Sequence, residues 1–341
     1  MYFDCVSASN FRRKLPLTMK YLSELYDRQN DENDSPNYCV SEFIRYHIGG
    51  MNTRPNLQLL LCGDNEKSNE LACAPHKFLP NIYRQAGYIT NFINNDCCDY
   101  PSAYLINTEN FRYDHELTGW SCHPDYDNYG QWSNTIGPYS MNKRCINGKF
   151  VHSYVFDYLY SFIDLYSTQK LNLPHLTFAS FTEGHEGTLE VLSSVDEELS
   201  KFLKYMTQRD PSNSPWIYII SDHGSHMGPH YEFTTAGQIE HKLPVLYMLT
   251  PKSVLQTIST SSRSISNMLD YLKSNSNVLI TSKDVYHTLR IFAETVSEFD
   301  IEQSITTAAT YETLYNNLSL SRNCKDLGIL NKYCACINNN S

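Results

Sequence analysis

The sequence has no long hydrophobic run and no excess of positive charge. No stretch approaches the roughly 18 to 20 apolar residues that a membrane-spanning helix requires, so no such helix is predicted. The chain carries 27 Lys and Arg against 37 Asp and Glu, a formal net charge of −10, and it has no Lys/Arg-rich segment. Because binding to a phosphate backbone requires a basic face, nucleic acid is not an expected partner.

The sequence also lacks the paired C-x-x-C spacing of a zinc ribbon, and its first residues lack the apolar segment of a signal peptide. It nevertheless has 11 cysteines, and N-x-S/T triplets occur at Asn33, Asn317 and Asn339. Many cysteines without metal-binding spacing indicate disulfides formed in an oxidising compartment. We therefore expect a glycoprotein of the extracellular space or the secretory-pathway lumen, with its targeting segment upstream of the printed start.

Short apolar runs that predict buried strands alternate with segments of helical periodicity. Strands are predicted at 2–5, 88–93, 176–181, 216–220 and 278–280, and helices at 15–26, 57–62, 79–86, 152–166, 189–206, 264–272 and from 282 onward. This alternation predicts an α/β domain at 1–320, with a mostly parallel central sheet and helices on both faces. A lid or insertion is expected at 97–147 and a Cys-containing tail at 321–341. The first strand is expected to be truncated at its N-terminal end, because a central strand needs more apolar residues.

Acidic residues and histidines directly follow three of the predicted strands. Asp4 follows the first, Glu183 and His185 follow the strand at 176–181, and Asp222 and His223 follow the strand at 216–220. Each pair taken alone has an alternative interpretation as an ordinary turn with a capping acid. Because parallel strands present their carboxyl ends at one edge of a sheet, we expect these residues to converge. The mixed carboxylate and imidazole set indicates a divalent metal, zinc before manganese or magnesium.

Three more histidines, His226, His230 and His241, follow within eighteen residues of His223. Imidazole is a frequent metal ligand, so His230 and His241 are candidates to complete the set. The alternative for each is a surface histidine.

Thr53 precedes an apolar run that predicts a helix, with Pro55 in the first turn. A hydroxyl at this position faces unpaired N–H groups and the positive end of the helix dipole, which suits a nucleophile that holds phosphate or sulfate beside it. An ordinary Thr cap is the alternative. A metal in contact with Thr Oγ would lower the pKa of the hydroxyl, so the set predicts phosphoryl or sulfuryl transfer.

The order of these motifs resembles that of the alkaline phosphatase superfamily. Asp4, Thr53-Arg54-Pro55-Asn56 and Ser221-Asp222-His223-Gly224 carry this resemblance, and Thr-x-Pro-Asn is similar to the nucleophile loop of nucleotide pyrophosphatase/phosphodiesterases. The chain is most similar to DUF229, a family of sulfatase-like animal extracellular proteins. The similarity extends from the segment 3–7, through Phe156-Asp157-Tyr158, to the cysteines of 322–336. It implies an alkaline-phosphatase-like three-layer sandwich.

The resemblance also implies roles for individual residues. Asp4, Thr53, Asp222 and His223 would hold one metal, with Thr53 as the nucleophile. Glu183, His185, His230 and His241 would serve a second metal or the substrate, and Asn52 and Arg54 would contact the substrate. The expected substrate is a small anionic ester or a glycan- or lipid-linked one.

Two departures from the pattern limit this interpretation. The Cys/Ser-x-Pro-x-Arg motif that sulfatases convert to formylglycine is absent, so phosphate esters are expected before sulfate esters. Phe181 stands where two-metal phosphodiesterases place an Asp, which leaves one metal, as in lipoteichoic-acid synthases and phosphoethanolamine transferases, or a second held through Glu183. The alternative function is a catalytically degenerate extracellular glycoprotein with a binding or structural role. The sequence leaves the oligomeric state open.

Overall fold

The computed structural model describes residues 1–30, 37–64, 73–96, 111–122, 145–166, 171, 173–210, 214–258, 264–296 and 312–335. Most of the predicted lid at 97–147 lies outside these residues, as do Asn33 and Asn339. Within them, no helix has the length and apolar character needed to cross a membrane.

A seven-stranded sheet forms the centre of the fold. Its strands are β1 (Tyr2–Phe3), β2 (Tyr38–Glu42), β4 (Ile89–Asn94), β5 (His115–Leu117), β8 (His175–Phe181), β9 (Ile217–Ser221) and β10 (Leu246–Pro251). The order is β2-β10-β9-β1-β8-β4-β5. Strand β10 runs antiparallel to both of its neighbours, and the other pairs of this sheet are parallel. The predicted, mostly parallel sheet is thereby confirmed. Two small pairs lie beside it, β3 (Tyr46–His47) with β11 (Ile280–Thr281) and β6 (Cys145–Ile146) with β7 (Lys149–Phe150).

Helices cover both faces of the sheet. They are α1 (Ala8–Lys14), α2 (Pro16–Gln29), α3 (Thr53–Cys62), α4 (Leu79–Gln85), α5 (Val151–Tyr166), α6 (Asp196–Thr207), α7 (Gly228–Phe233), α8 (Thr235–Lys242), α9 (Lys252–Ile258), α10 (Ile265–Asn275) and α11 (Ser282–Val296). Since side chains alternate along a strand, Tyr2 and Ile220 pack with α3, α4, α10 and α11, whereas Phe3 and Ile219 pack with α1, α2, α5 and α6. The resulting three layers confirm the predicted architecture.

The helix predicted at 189–206 begins later than its apolar pattern suggested. Residues Val191–Val195 form a 3₁₀ turn, and the α-helix starts at Asp196. Leu189 has φ +63°, in the left-handed region, and the carboxylate of Glu186 accepts hydrogen bonds from the N–H groups of Glu190 and Val191. Because a residue with left-handed backbone angles cannot belong to a right-handed α-helix, no helix can include Leu189, and the α-helix begins only after the 3₁₀ turn.

Strand β1 is much shorter than the two strands that flank it. Tyr2 lies opposite Ser180 in the seven-residue β8 and opposite Ile220 in the five-residue β9. Beyond Met1, a cavity of about 530 Å³ is bordered by β8 and β9. The backbone nitrogen of Met1 donates a 2.6 Å hydrogen bond to the carbonyl of Tyr218 in β9.

Within the described residues, two disulfides link segments outside the central sheet. Cys62 pairs with Cys73, and Cys324 pairs with Cys334 within the tail. The tail contacts the domain through Ala335, whose N–H donates to Nε2 of His47 over 2.9 Å. Among the described cysteines, the free thiols belong to Cys5, Cys39 and Cys145.

Candidate active site

Four of the predicted site residues meet at the carboxyl edge of the sheet. Thr53 Oγ lies 3.5 Å from Asp4 Oδ1 and 3.3 Å from His223 Nε2. His223 Nε2 in turn lies 3.2 Å from Asp222 Oδ2. Ligand atoms of Asp4, Asp222 and His223 all lie within 4.8 Å of one another. The fold therefore places the hydroxyl beside the Asp4 carboxylate and the His223 imidazole, and the Asp222 carboxylate lies next to that imidazole.

Hydrogen bonds between neighbouring strand ends position the two carboxylates. The N–H of Asp4 donates to the carbonyl of Phe181 at the end of β8, over 2.9 Å. The N–H of Cys5 donates to Asp222 Oδ1 over 3.3 Å, and the N–H of the next residue, Val6, donates to Ser221 Oγ over 3.0 Å. The turn after β1 is thus held by β8 on one side and by β9 on the other.

Asn56 fixes the loop that presents Thr53. Its Oδ1 accepts hydrogen bonds from the N–H groups of Gly49 and Gly50 at 2.8 and 3.0 Å. Its Nδ2 donates to the carbonyls of Gly50 and Asn52, each at 3.0 Å. Asn52 is the N-cap of α3 and Thr53 is the first helical residue, so the helix begins one residue earlier than the predicted Thr53 cap implied. The side chain of Asn56 thereby replaces the regular backbone pairing that this loop lacks.

The site concentrates negative charge in a buried place. Asp4 and Asp222 are almost fully buried. Burial, followed by the charges of Asp222 and Asp96, raises the pKa of Asp4 well above its usual range. Asp222 Oδ2 accepts no well-aligned hydrogen bond within the described part of the chain. Buried carboxylates with an open oxygen beside an imidazole are a donor set that fits a divalent cation.

Three more histidines surround this set. Ring centroids are 4.9 Å apart for His223 and His226, 5.8 Å for His185 and His226, and 5.5 Å for His223 and His241. Burial, reinforced by the neighbouring imidazoles, lowers the pKa of His226 to about 3 and that of His241 to about 4. Neutral imidazole is the form that binds metals. His226 was not among the predicted ligands, although its position three residues after His223 was a usable signal.

Glu183 and His230 form contacts with residues outside the cluster around Thr53. Glu183 Oε1 accepts a hydrogen bond from Asn95 Nδ2 at 2.6 Å and lies 3.0 Å from Nδ1 of His152. His230 is partly exposed and lies 3.4 Å from Glu240. Neither residue belongs to a three-residue donor group within the described ranges.

The remaining predicted residues flank Thr53. His241 Nε2 lies 2.8 Å from the carbonyl of Met51, so this imidazole supports the loop before Thr53. Asn52 and Arg54 are both exposed.

A family model described as a protein of unknown function, DUF229, matches residues 1–341. The chain belongs to the DUF229 family. No curated protein matches the sequence of this DUF229 protein at a significant level.

Several solved structures share its fold. The C-terminal periplasmic domain of EptC from Escherichia coli is 13% identical, with 93% of this chain and 86% of that chain covered and a TM-score of 0.54. The same domain in complex with Zn is 12% identical, with coverages of 86% and 81% and a TM-score of 0.51. A phosphonate monoester hydrolase from Silicibacter pomeroyi is 11% identical, with coverages of 86% and 72% and a TM-score of 0.52. The DUF229 chain therefore has an alkaline-phosphatase-like fold.

Proposed function

We propose that this DUF229 protein is a metal-dependent hydrolase or transferase of phosphate esters, with Thr53 as its nucleophile. The observation that carries the proposal is the position of Thr53 Oγ, at the start of α3 and within 3.5 Å of both Asp4 and His223. A structural threonine cap has no need of two carboxylates and an imidazole around its hydroxyl. The folds of a phosphonate monoester hydrolase and of an EptC domain solved with Zn support the same chemistry.

Asp4, Thr53, Asp222 and His223 would hold the metal. Zinc suits the imidazole-containing set best, and manganese and magnesium are alternatives. When bound, the cation would neutralise charge on the transferring phosphoryl group and lower the pKa of the threonine hydroxyl.

The reaction would proceed in two displacements. Thr53 Oγ forms a bond to phosphorus while the P–O bond to the leaving alcohol breaks, and the threonine proton passes through solvent to the leaving alkoxide. A water molecule, or an acceptor alcohol in a transferase, then attacks phosphorus. The bond to Thr53 breaks, and the threonine oxygen takes up the proton that the attacking hydroxyl group releases. The N–H groups at the start of α3 would stabilise the phosphoryl oxygens.

The surroundings favour an anionic ester as substrate, either small or linked to a glycan or lipid. Arg54 and Asn52 are exposed next to the nucleophile and would contact its oxygens. The two disulfides and the exposed Asn317, in the triplet Asn-Leu-Ser, support an extracellular or secretory-lumen location.

The test is an assay for hydrolysis of p-nitrophenyl phosphate and bis-p-nitrophenyl phosphate in the presence of Zn²⁺ or Mn²⁺. The protein for this assay is secreted from a eukaryotic host. Thr53→Ala should abolish turnover and Thr53→Ser should retain part of it. Thr235→Ala is the matched control, because Thr235 is also the first residue of a helix but is exposed away from the cluster. A folded, metal-loaded chain without turnover of either ester would leave the degenerate binding glycoprotein as the better interpretation.

A further inference from the structure

The carboxylate of Glu240 joins α8 to the turn and the helix that follow β1. Its Oε1 and Oε2 accept hydrogen bonds from Nη1 and Nη2 of Arg13 in α1, at 2.8 and 2.7 Å. Oε2 also accepts a 3.0 Å hydrogen bond from Oγ of Ser7. His230 Nε2 lies farther away, 3.4 Å from Oε1. Because the bidentate pair with Arg13 fixes the plane of the carboxylate, Oε2 is presented to Ser7 in one orientation.

Ser7 uses its single hydroxyl for two hydrogen bonds. It is the N-cap of α1, where its Oγ accepts a hydrogen bond from the N–H of Asn10 over 2.9 Å. An ionised carboxylate can only accept, so the proton of the Ser7 hydroxyl must point to Glu240. This direction leaves a lone pair of Oγ for Asn10. Glu240 therefore fixes both the rotamer of Ser7 and the start of α1.

The turn between β1 and Ser7 needs support from outside itself. Cys5 has φ +63°, in the left-handed region, which is unfavourable for a residue with a Cβ. Such a conformation persists only where the surrounding structure fixes it. The chain after α8 supplies part of this support: Val245 N–H donates to the carbonyl of Val6 over 3.1 Å, and Ala8 N–H donates to the carbonyl of Leu243 over 3.0 Å. The contact between Ser7 and Glu240 lies between these two backbone hydrogen bonds and the end of α8.

The same end of α8 supports the turn after β9. Gly224 N–H donates to the carbonyl of His241 over 2.9 Å. A Cβ at Gly224 would lie 2.3 Å from the carbonyl oxygen of Glu240, so the two backbones are in direct contact. This turn carries Asp222 and His223. The side chain of Glu240 thus holds the turn of Asp4, while its backbone packs against the turn of the other two residues.

We propose that Glu240 is a positioning residue, which holds Asp4 at the correct distance from Asp222 and His223 and thereby raises the affinity of the site for zinc. The inference rests on the proposed function, because these three residues are metal ligands only in that proposal. Their ligand atoms lie within 4.8 Å of one another, and Glu240 belongs to none of the donor groups in the described part of the chain. Its effect on the metal would be exerted through Ser7 and the turn after β1.

Glu42 provides a matched control on the same helix. It accepts a hydrogen bond from Arg12 of α1 and another, over 2.6 Å, from the hydroxyl of Tyr247. Like Glu240, it therefore connects α1 to the sheet through an arginine and a hydroxyl. Glu42 lies in β2, at the edge of the seven-stranded sheet, and makes no contact with Ser7. Both arginines are partly exposed, and exposed ion pairs contribute little to stability, so both glutamate variants should fold.

The experiment measures the dissociation constant for Zn²⁺ by competition with a chromogenic chelator, using metal-free chain secreted from a eukaryotic host. Glu240→Ala should raise this constant about 10- to 100-fold, the usual cost of losing a residue that orients metal ligands. Glu42→Ala should leave it unchanged. Glu240→Gln should lie between Glu240→Ala and the native chain, because its amide oxygen can still accept from Ser7. The denaturant midpoint of each variant shows whether the change in affinity follows the change in stability.

Ser7→Ala tests the same path from the other side of the contact. It removes the hydroxyl and keeps the pair of Glu240 with Arg13, and it should also weaken Zn²⁺ binding. Because this variant loses a helix cap as well, Ser264→Ala is its control: Ser264 is the N-cap of α10 and accepts from the N–H of Asn267 over 3.2 Å. Loss of that cap should leave Zn²⁺ affinity unchanged.

The outcomes separate this proposal from the proposed function. A native chain that binds Zn²⁺ without hydrolysing either ester contradicts the proposed function, whereas weaker binding by Glu240→Ala in that chain still supports the positioning role. Native affinity in both Glu240→Ala and Ser7→Ala would overturn the positioning role alone. An equal loss of affinity in Glu240→Ala and Glu42→Ala would overturn it too, because the effect would then come from the docking of α1. A native chain without Zn²⁺ affinity would overturn both proposals.

Discussion

Thr53 Oγ lies 3.3 Å from Nε2 of His223, although 170 residues separate them in the sequence. One side chain starts α3 and the other follows β9. Their contact joins the loop of the proposed nucleophile to the strand-end turn that carries Asp222, so a change at either side should affect the same chemistry.

Replacing His223 by Ala should remove bound metal and lower ester turnover by at least about 100-fold, because the variant loses a proposed metal ligand and its contact with the proposed nucleophile. Elemental analysis and kinetics on the same preparation measure both effects. His230→Ala is the control: its imidazole pairs with Glu240, so metal content should stay unchanged. An alanine variant at 223 that kept its metal would contradict the assigned ligand set.

Asn56→Ala should lower the free energy of unfolding by about 2–4 kcal/mol, since a buried side chain with four hydrogen bonds is lost. Turnover should fall as well, because the Thr53 loop loses its support. Asn56→Asp keeps the two bonds from the glycine N–H groups and should lie between the alanine variant and the native chain. Denaturant titration gives the ranking, and equal stability of all three would refute this role.

Gly184→Ala should weaken metal binding and turnover, although the substitution replaces none of the proposed metal ligands. A Cβ at this position would lie 2.5 Å from the carbonyl oxygen of Asp4 and 2.3 Å from a methyl group of Val6. The turn after β1 must therefore move. Gly148→Ala meets no atom within 4 Å and should cost only about 1 kcal/mol through its positive φ, with turnover retained. Equal turnover in the two variants would show that Asp4 tolerates the shift.

Acid should release the C-terminal tail through His47. This buried imidazole donates from Nδ1 to the carbonyl of Ile48 and accepts at Nε2 from Ala335, so its neutral form satisfies both contacts. Burial lowers the pKa of His47. The unfolded chain therefore binds a proton at higher pH than the folded chain does, and stability falls as pH drops below about 6.5.

The measurement for His47 is the denaturant midpoint at pH 7.5 and pH 5.0 for the native chain and for His47→Gln, which cannot titrate in this range. The native chain should lose more stability than the variant. Other buried histidines titrate in both proteins, so the difference between them isolates His47. The same loss in both would place the acid sensitivity elsewhere.

The strand ends were predictable because their signals are local. An apolar β-branched run followed at once by an acid or a histidine places Asp4, Asp222 and His223 at one edge of any parallel sheet. The hydroxyl of Thr53 could be added because Pro55 and the apolar run after it indicate a helix start. The structure brings these four side chains together as expected.

Other residues could not be separated on local grounds. Glu183 follows β8 much as Asp222 follows β9. Its Oε1, however, lies within hydrogen-bond distance of Asn95 and His152. Cys5 was one of 11 cysteines in a sequence that indicated disulfides. Only its left-handed backbone, held by Asp222, turns the thiol toward His226.

Local patterns account for the alternation of strands and helices, the apolar faces of the strands and the kinds of ligand at the strand ends, because these features depend on near neighbours along the chain. Long-range packing sets the sheet order with its antiparallel β10, and it selects the acid and the imidazole that lie beside Thr53. Those outcomes depend on long-range packing and on single backbone angles such as that of Cys5, which no periodicity in the sequence records.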